Sequence, residues 1–190
     1  MEILFYEEES FRNLSRWDKE TRGTEFENCF FINCDFSNTI FNSAKFIECV
    51  FETCNLAMIK FVNCQLNNVT FIGSKVLGVN FSDCNDTLFA VKFDRCVLDY
   101  CSFVRKKMVR TMFNNCSAKN ADFSDCNLTG STFSDTDLMN SVFNKTTLKE
   151  VDFLTAGNFI IDPEMNNIKK AKFSLQGVTG LLNKYDISIE

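Results

Sequence analysis

Large apolar side chains recur every five residues along most of this chain. Stepping by five from Phe26 meets Phe31, Phe36, Phe41, Phe46, Phe51, Leu56, Phe61, Leu66, Phe71, Val76 and Phe81. The next step falls on Asp86. Two residues later, at Leu88, the register resumes and runs through Phe93, Leu98, Phe103, Met108, Phe113, Ala118, Phe123, Leu128, Phe133, Leu138, Phe143 and Leu148 to Phe153. Two positions ahead of most of these large residues stands a smaller one. Cys29, Cys34, Cys49, Cys54, Cys64, Cys96, Cys101, Cys116 and Cys126 fill this slot, with Thr24, Ala44, Ser74, Thr111 and Ser131. Cys84 holds the same slot in the register that precedes the break. The other three positions of each five are mostly polar or charged.

A period of five fits neither the α-helix, the β-strand nor a heptad coiled coil. It predicts a chain that turns a corner every five residues, with one large and one small side chain inside each side. Four sides make a coil of twenty residues, and coils stack by backbone hydrogen bonds at about 4.8 Å. The expected fold is all-β, a right-handed quadrilateral β-helix. Aspartate at an interior position would strand a charge in the core, so Asn85, Asp86 and Thr87 should bulge from a corner. That bulge is either a tolerated insertion or a contact loop. Lys106 occupies a small inward slot within the one basic run, Arg105 to Arg110. There the backbone must distort, or the side chain must escape to water on a solvated face.

The ends depart from the pattern. Residues 1–23 keep Phe5, Phe11 and Trp17 but lose clean register, as expected of a cap or an atypical first coil. Residues 24–173 form the β-helix proper, weakening where Asn158, Pro163 and Ile168 take the large position. In residues 174–190, Leu175, Val178 and Leu182 have helical spacing behind Ser174, a candidate N-cap. A short C-terminal α-helix is predicted, followed by a short strand at Ile187–Ile189. Leu175, Val178, Leu181 and Leu182 then either plug the open end or form a dimer interface.

The segments Cys34-Asp35-Phe36-Ser37-Asn38, Ala121-Asp122-Phe123-Ser124-Asp125 and Cys126-Asn127-Leu128-Thr129-Gly130 resemble the pentapeptide repeat, whose consensus is A(D/N)LXX. The resemblance covers about residues 24–173 and is far more specific for fold than for function. Quinolone-resistance members of that family protect DNA gyrase and topoisomerase IV, resemble a DNA duplex in width and charge, and dimerise through a C-terminal helix. The resemblance therefore implies a protein-interaction module, a type II topoisomerase as partner and a homodimer through the C-terminal segment. Those members project sizeable loops, whereas this chain has only the interruption at Asn85–Thr87.

Composition narrows the chemistry. The chain has 22 Phe, 10 Cys, one Pro and no His. Seventeen of the phenylalanines, Phe173 included, share the one register. Lack of histidine removes most acid–base and triad mechanisms. Cys29/Cys34 and Cys96/Cys101 are five apart, which is not a zinc spacing. Cysteines twenty apart, such as Cys29/Cys49, fall one coil apart and are expected as reduced, compact hydrophobes. No glycine loop suits a phosphate. Neither catalysis nor a cofactor is expected. No apolar run reaches the ~20 residues of a membrane span, and the acidic start lacks a signal peptide's basic region. A cytoplasmic protein that avoids the membrane is expected.

The net charge of −5 argues against direct nucleic-acid binding. A rod about 30 Å long, if it copied duplex DNA at one charge per ~1.7 Å, would show about 18 negative charges. Uniform mimicry falls short. Summed over the sides, outward acids and bases balance, so no polarised side is expected. Along the axis, residues 120–164 hold Asp122, Asp125, Asp135, Asp137, Glu150, Asp152, Asp162 and Glu164 against Lys145 and Lys149. If C-terminal segments pair, two acidic zones adjoin. Asp122, Asp125, Asp135, Asp137 and Asp152 are the candidate partner-binding residues. The alternative is a β-helical scaffold for another protein, with no topoisomerase role.

Overall fold

The computed structural model describes residues 4–17 and 22–188. Short parallel strands pair with strands twenty residues on. Phe5–Glu7, Glu25–Glu27, Lys45–Ile47 and Gln65–Asn67 stack in that order on what we call side 1. Side 2 stacks Ser10–Arg12, Phe30–Ile32, Val50–Glu52, Val69–Ile72, Val91–Asp94 and Phe113–Asn114. Side 3 is a column of single bridges, Asp35 to Asn55 to Lys75 to Val97 and onward to Gly157. Side 4 pairs Ile40–Asn42 with Lys60–Val62 and continues by bridges from Asn80 through Ser102 and Asp122 to Val142. The result is a right-handed quadrilateral β-helix of about eight turns.

Each corner needs a residue in the left-handed region, two positions after the large inward side chain. Asn28, Asn33 and Asn38 sit there at φ 52, 53 and 58°. Asparagine tolerates that conformation better than most residues. About half of the asparagines in the repeat are such corner residues, and Ser43, Glu48, Thr53 and Arg105 adopt the same conformation at other corners. Gly73, Gly78 and Gly130 serve the same purpose at φ 56, 69 and 69°.

Inside, the rings stack. On side 2 the column Phe11, Phe31, Phe51, Phe71, Phe93, Phe113, Phe133, Phe153, Phe173 is unbroken, with successive centroids 4.6 to 5.4 Å apart and planes within 18°. Neighbouring sides meet edge to face, as in Phe113–Phe123 at 5.7 Å and 88°. The columns begin a coil before the clean repeat, because Tyr6 pairs with Phe26 and Phe11 with Phe31. Trp17 turns inward against Tyr6, Phe11 and Phe26 and covers the first coil from below.

Two expected positions slip by one. Leu88 is 62% exposed, and Phe89 takes the interior place. Asn158 is exposed with φ 59°, and Phe159 is buried instead. In each case the larger aromatic fills the wider gap where the coil is irregular.

The C-terminal helix is present but is 3-10 in type, over Gly177–Leu181 and Asn183–Tyr185. Its N-cap is Gln176, with no side-chain cap, and Ser174, the residue expected there, stands two positions earlier, its Oγ accepting from the Gly177 N–H at 2.9 Å. Two glycines weaken the α form, and close approach dictates where they stand. A Cβ on Gly180 would fall 2.2 Å from the Phe159 carbonyl oxygen. The strand expected at the end is not formed by Ile187 and Ser188, and Ile189 lies outside the described residues.

Phe113→Ala should cost about 3–5 kcal/mol, because it opens a hole between two stacked rings. A urea midpoint shift measures this. Gly180→Ala should instead loosen only the C-terminal cap, seen as faster amide exchange in residues 177–185 while the Phe113 coil stays protected.

Candidate functional site

Where the small inward slot holds Cys, Ser or Thr, the side chain is a hydrogen-bond donor. The Cys54 thiol donates to the Phe31 carbonyl at 3.2 Å, and Cys126 to Phe103 at 2.8 Å. Ser131 donates to Met108 at 2.8 Å and Thr136 to Phe113 at 2.9 Å in the same manner. Each reaches back 23 residues, to the carbonyl of a large residue in the coil below. Compact hydrophobicity alone therefore undersells these cysteines. The signal in the sequence was the alternation of Cys with Ser and Thr, which share only size and a donor.

All ten cysteines are free and buried. Burial pushes the thiols of Cys49, Cys54, Cys64, Cys101 and Cys126 from an ordinary 9.0 up to about 12. They are poor nucleophiles, since the thiolate is the reactive form. Among the described residues no cluster of His, Cys, Asp or Glu could hold a metal ion. An open cleft of about 810 Å³ beside the C-terminal helices is edged by Asn140, Asn158, Gln176, Asn183 and Asp186. It offers one carboxylate and no cationic side chain.

Asn85, Asp86 and Thr87 do bulge outward and are exposed. The strand register records the two extra residues, Val69 pairing with Val91. Lys106, one coil above, neither distorts the coil nor escapes to water. It is 2% exposed, and its Nζ donates to the Cys84 carbonyl at 2.6 Å and to the Asp86 carboxylate at 2.5 Å. The ammonium also lies 5.1 Å from the Phe89 ring centroid. The two anomalies of the sequence thus form one device. Their spacing of twenty residues, Asp86 to Lys106, was the clue that each on its own did not offer.

The acidic candidates do not share a face. Asp122 lies on side 4, Asp125 at the corner after it, Asp135 at the corner after side 2, Asp137 on side 3 and Asp152 on side 2. Stacking also brings cations from outside the 120–164 window. Lys119 pairs with Asp137 at 3.1 Å, Lys172 with Asp152 at 3.3 Å, and Lys184 with both Asp162 and Glu164 at 2.8 Å. Burial alone would raise the Asp137 carboxyl, but hydrogen bonds from Asn158 and Lys119 hold it below the usual range. Among the described residues, Asp122, Asp125 and Asp135 have no cation at ion-pair distance.

Of the C-terminal candidates, Leu181 is buried and Val178 packs on the core. Leu182 is partly exposed, and Leu175 is 91% exposed. Two of the four therefore belong to the plug.

Lys106→Met should cost about 1–3 kcal/mol by leaving the Cys84 carbonyl unsatisfied. Amide exchange should quicken at Thr87–Ala90. Stability should also fall with rising pH. Below pH 9 the thiols of Cys49, Cys54, Cys64, Cys101 and Cys126 are protonated in both states; above it the unfolded chain loses these protons first, because burial holds the folded values near 12. Urea midpoints should therefore decline from about pH 9 upward, and native protein at pH 8 should resist thiol reagents until it is unfolded.

A search of curated proteins finds no sequence match. Among solved structures the chain resembles two trypsin-treated forms of QnrB1, described as a plasmid-mediated fluoroquinolone resistance protein. The first superposes at TM-score 0.72 with 14% identity, covering 100% of both chains. The second gives 0.69 and 13%, covering 98% of this chain and 99% of that one. At such identity the likeness is one of fold. The model of the pentapeptide repeat region matches residues 24–103 and 87–153. With the five-residue ladder filling the coil and most of its length matched by that model, the chain belongs to the pentapeptide-repeat family.

Proposed function

We propose that this protein is a non-catalytic interaction rod that holds a protein partner on its flat sides, in a reducing compartment such as the cytoplasm. Its thiols and Lys106 are engaged internally, so recognition falls to the outward columns. Among the described residues no helix is long and apolar enough to cross a membrane.

The observation that carries the reading is the corner between sides 3 and 4. Met58 and Tyr100 stand there 50% and 63% exposed, two coils apart. Gly78 lies between them, and Met58 drapes over it, its Sδ 2.5 Å from where a Cβ would be. Exposed methionine and tyrosine around a side-chain-free position make an apolar landing point of the kind that anchors protein contacts. Affinity capture from the native cell should recover a partner with the wild-type chain and lose it with Met58→Lys/Tyr100→Glu, while circular dichroism stays unchanged. Equal recovery by both would overturn the reading.

A second reading is binding to a type II topoisomerase, with homodimerisation through the C-terminal segment. It is favoured by the fold likeness to QnrB1 and by the uncompensated carboxylates Asp122, Asp125 and Asp135. A gyrase supercoiling assay with and without ciprofloxacin tests it. Inhibition or protection that disappears on charge reversal at Asp122, Asp125, Asp135 and Asp137 supports this reading. No effect at micromolar protein, or an effect that survives the reversal, rejects it.

A further inference from the structure

Side 1 has a charge layout that sums by side conceal. Its nine levels are led in order by Tyr6, Phe26, Phe46, Leu66, the bulge at Leu88, Met108, Leu128, Leu148 and Ile168. Backbone pairing joins the levels below the bulge. Bridges from Lys107 through Asn127 and Thr147 to Asn167 join those above it. On the lower levels the outward residues include Glu7, Glu8, Glu25, Glu27 and Glu48 against a single lysine, Lys45, which pairs with Glu25 at 2.6 Å. On the upper levels they include Lys107, Arg110, Lys149, Lys169 and Lys170 against a single carboxylate, Glu150, which lies 3.5 Å from Lys149. Among the described residues, Lys107, Arg110, Lys169 and Lys170 have no carboxylate at ion-pair distance, and Glu7, Glu8 and Glu27 have no cation there. The expectation of an unpolarised side fails here: the totals cancel because the two halves are opposite.

The bulge sits on the fifth of the nine levels, midway along the strip. There the register slip turns Leu88 outward at φ 57° and 62% exposure, with Val109 40% exposed on the next level. Lys106 fastens the bulge from inside, so its tip is held in one place. The strip is thus acidic at one end and basic at the other, over a length of about 40 Å at ~4.8 Å per level, with Leu88 and Val109 exposed at its middle beside the polar bulge residues Asn85, Asp86 and Thr87.

We propose that side 1 is a self-complementary face on which a second copy of this chain docks antiparallel, with the two-fold axis at Leu88. A two-fold interface sets each surface position against its mirror along the strip. Glu7 and Glu8 then oppose Lys169 and Lys170, Glu25 and Glu27 oppose Lys149, and Leu88 meets its own copy. A parallel arrangement would set like charge against like. Nucleic acid fits poorly, because the glutamate half would repel phosphate. The corner column shared with side 4 alternates in sign (Asp83, Arg105, Asp125, Lys145) and favours neither orientation. Exposed ion pairs are individually weak and screened by salt, so this dimer should dissociate as ionic strength rises.

Sedimentation equilibrium on the full chain tests the proposal, at low ionic strength and at about 1 M salt, where the Debye length is ~3 Å. The wild type should dimerise in the first condition and dissociate in the second. Glu7→Lys/Glu8→Lys/Glu27→Lys makes both halves basic, and Lys149→Glu/Lys169→Glu/Lys170→Glu makes both acidic. Each variant alone should dimerise at least about tenfold more weakly, and mixing the two should restore a 1:1 heterodimer. All six positions point outward, so unchanged circular dichroism confirms the fold. A wild type that is monomeric throughout overturns the proposal, as does a mixture that fails to associate. A dimer that survives high salt and both reversals also overturns it and assigns pairing elsewhere, such as the C-terminal segment. None of these failures touches partner capture through Met58 and Tyr100.

Discussion

Two spacings coincide in this molecule. Parallel backbone ladders hold successive coils about 4.8 Å apart, and aromatic faces in contact need nearly the same distance. The side 2 rings, 4.6 to 5.4 Å apart from Phe11 to Phe173, therefore satisfy van der Waals packing without bending the hydrogen-bonded frame. The rest follows from that match. A ring in the large slot fixes the width of the coil, which leaves room for only a small neighbour. A carbonyl of the coil below lies within that neighbour's reach, so a thiol or hydroxyl donor suits the place. Corners must then close within one residue, and a residue in the left-handed region, most often asparagine, supplies that turn.

The constraint also explains how a two-residue insertion is tolerated. The ring column crosses it intact, Phe71 to Phe93 being 5.1 Å apart. The extra chain is expelled to the surface, which leaves a widened gap below the next coil. Phe89 and the Lys106 side chain occupy that gap, and the ammonium meets the carbonyl and carboxylate that the bulge presents. A buried ammonium with two oxygen partners is tolerable where a lone one is not. The same adjustment turns Leu88 outward, so a repair in the core becomes a feature of the surface.

Charge obeys the stacking rather than the order of the chain. Neighbours on the surface are twenty residues apart, so an acidic stretch of sequence meets cations from one coil above or below. Lys119, Lys172 and Lys184 compensate much of what reads as an acidic zone in residues 120–164. Conversely, glutamates and lysines far apart in sequence collect into the two halves of side 1. For a rod whose reactive side chains are engaged internally, such patterns are the part of the molecule that a partner meets.

The period, the four-sided coil, the site of the break and the interior place of the phenylalanines and cysteines follow from residue order alone. Those were legible because every coil offers an inward residue the same surroundings, so one local rule repeats more than twenty times. That Phe89 displaces Leu88 and Phe159 displaces Asn158 emerges only once the coils are stacked. Stacking alone sends Lys106 to the Cys84 carbonyl, makes Cys, Ser or Thr in the small slot a donor, and draws Val178 and Leu181 into the plug. Each of these outcomes depends on a partner about twenty residues away, or on the exact width of an irregular gap. A residue's type does not carry that information until the coils are stacked.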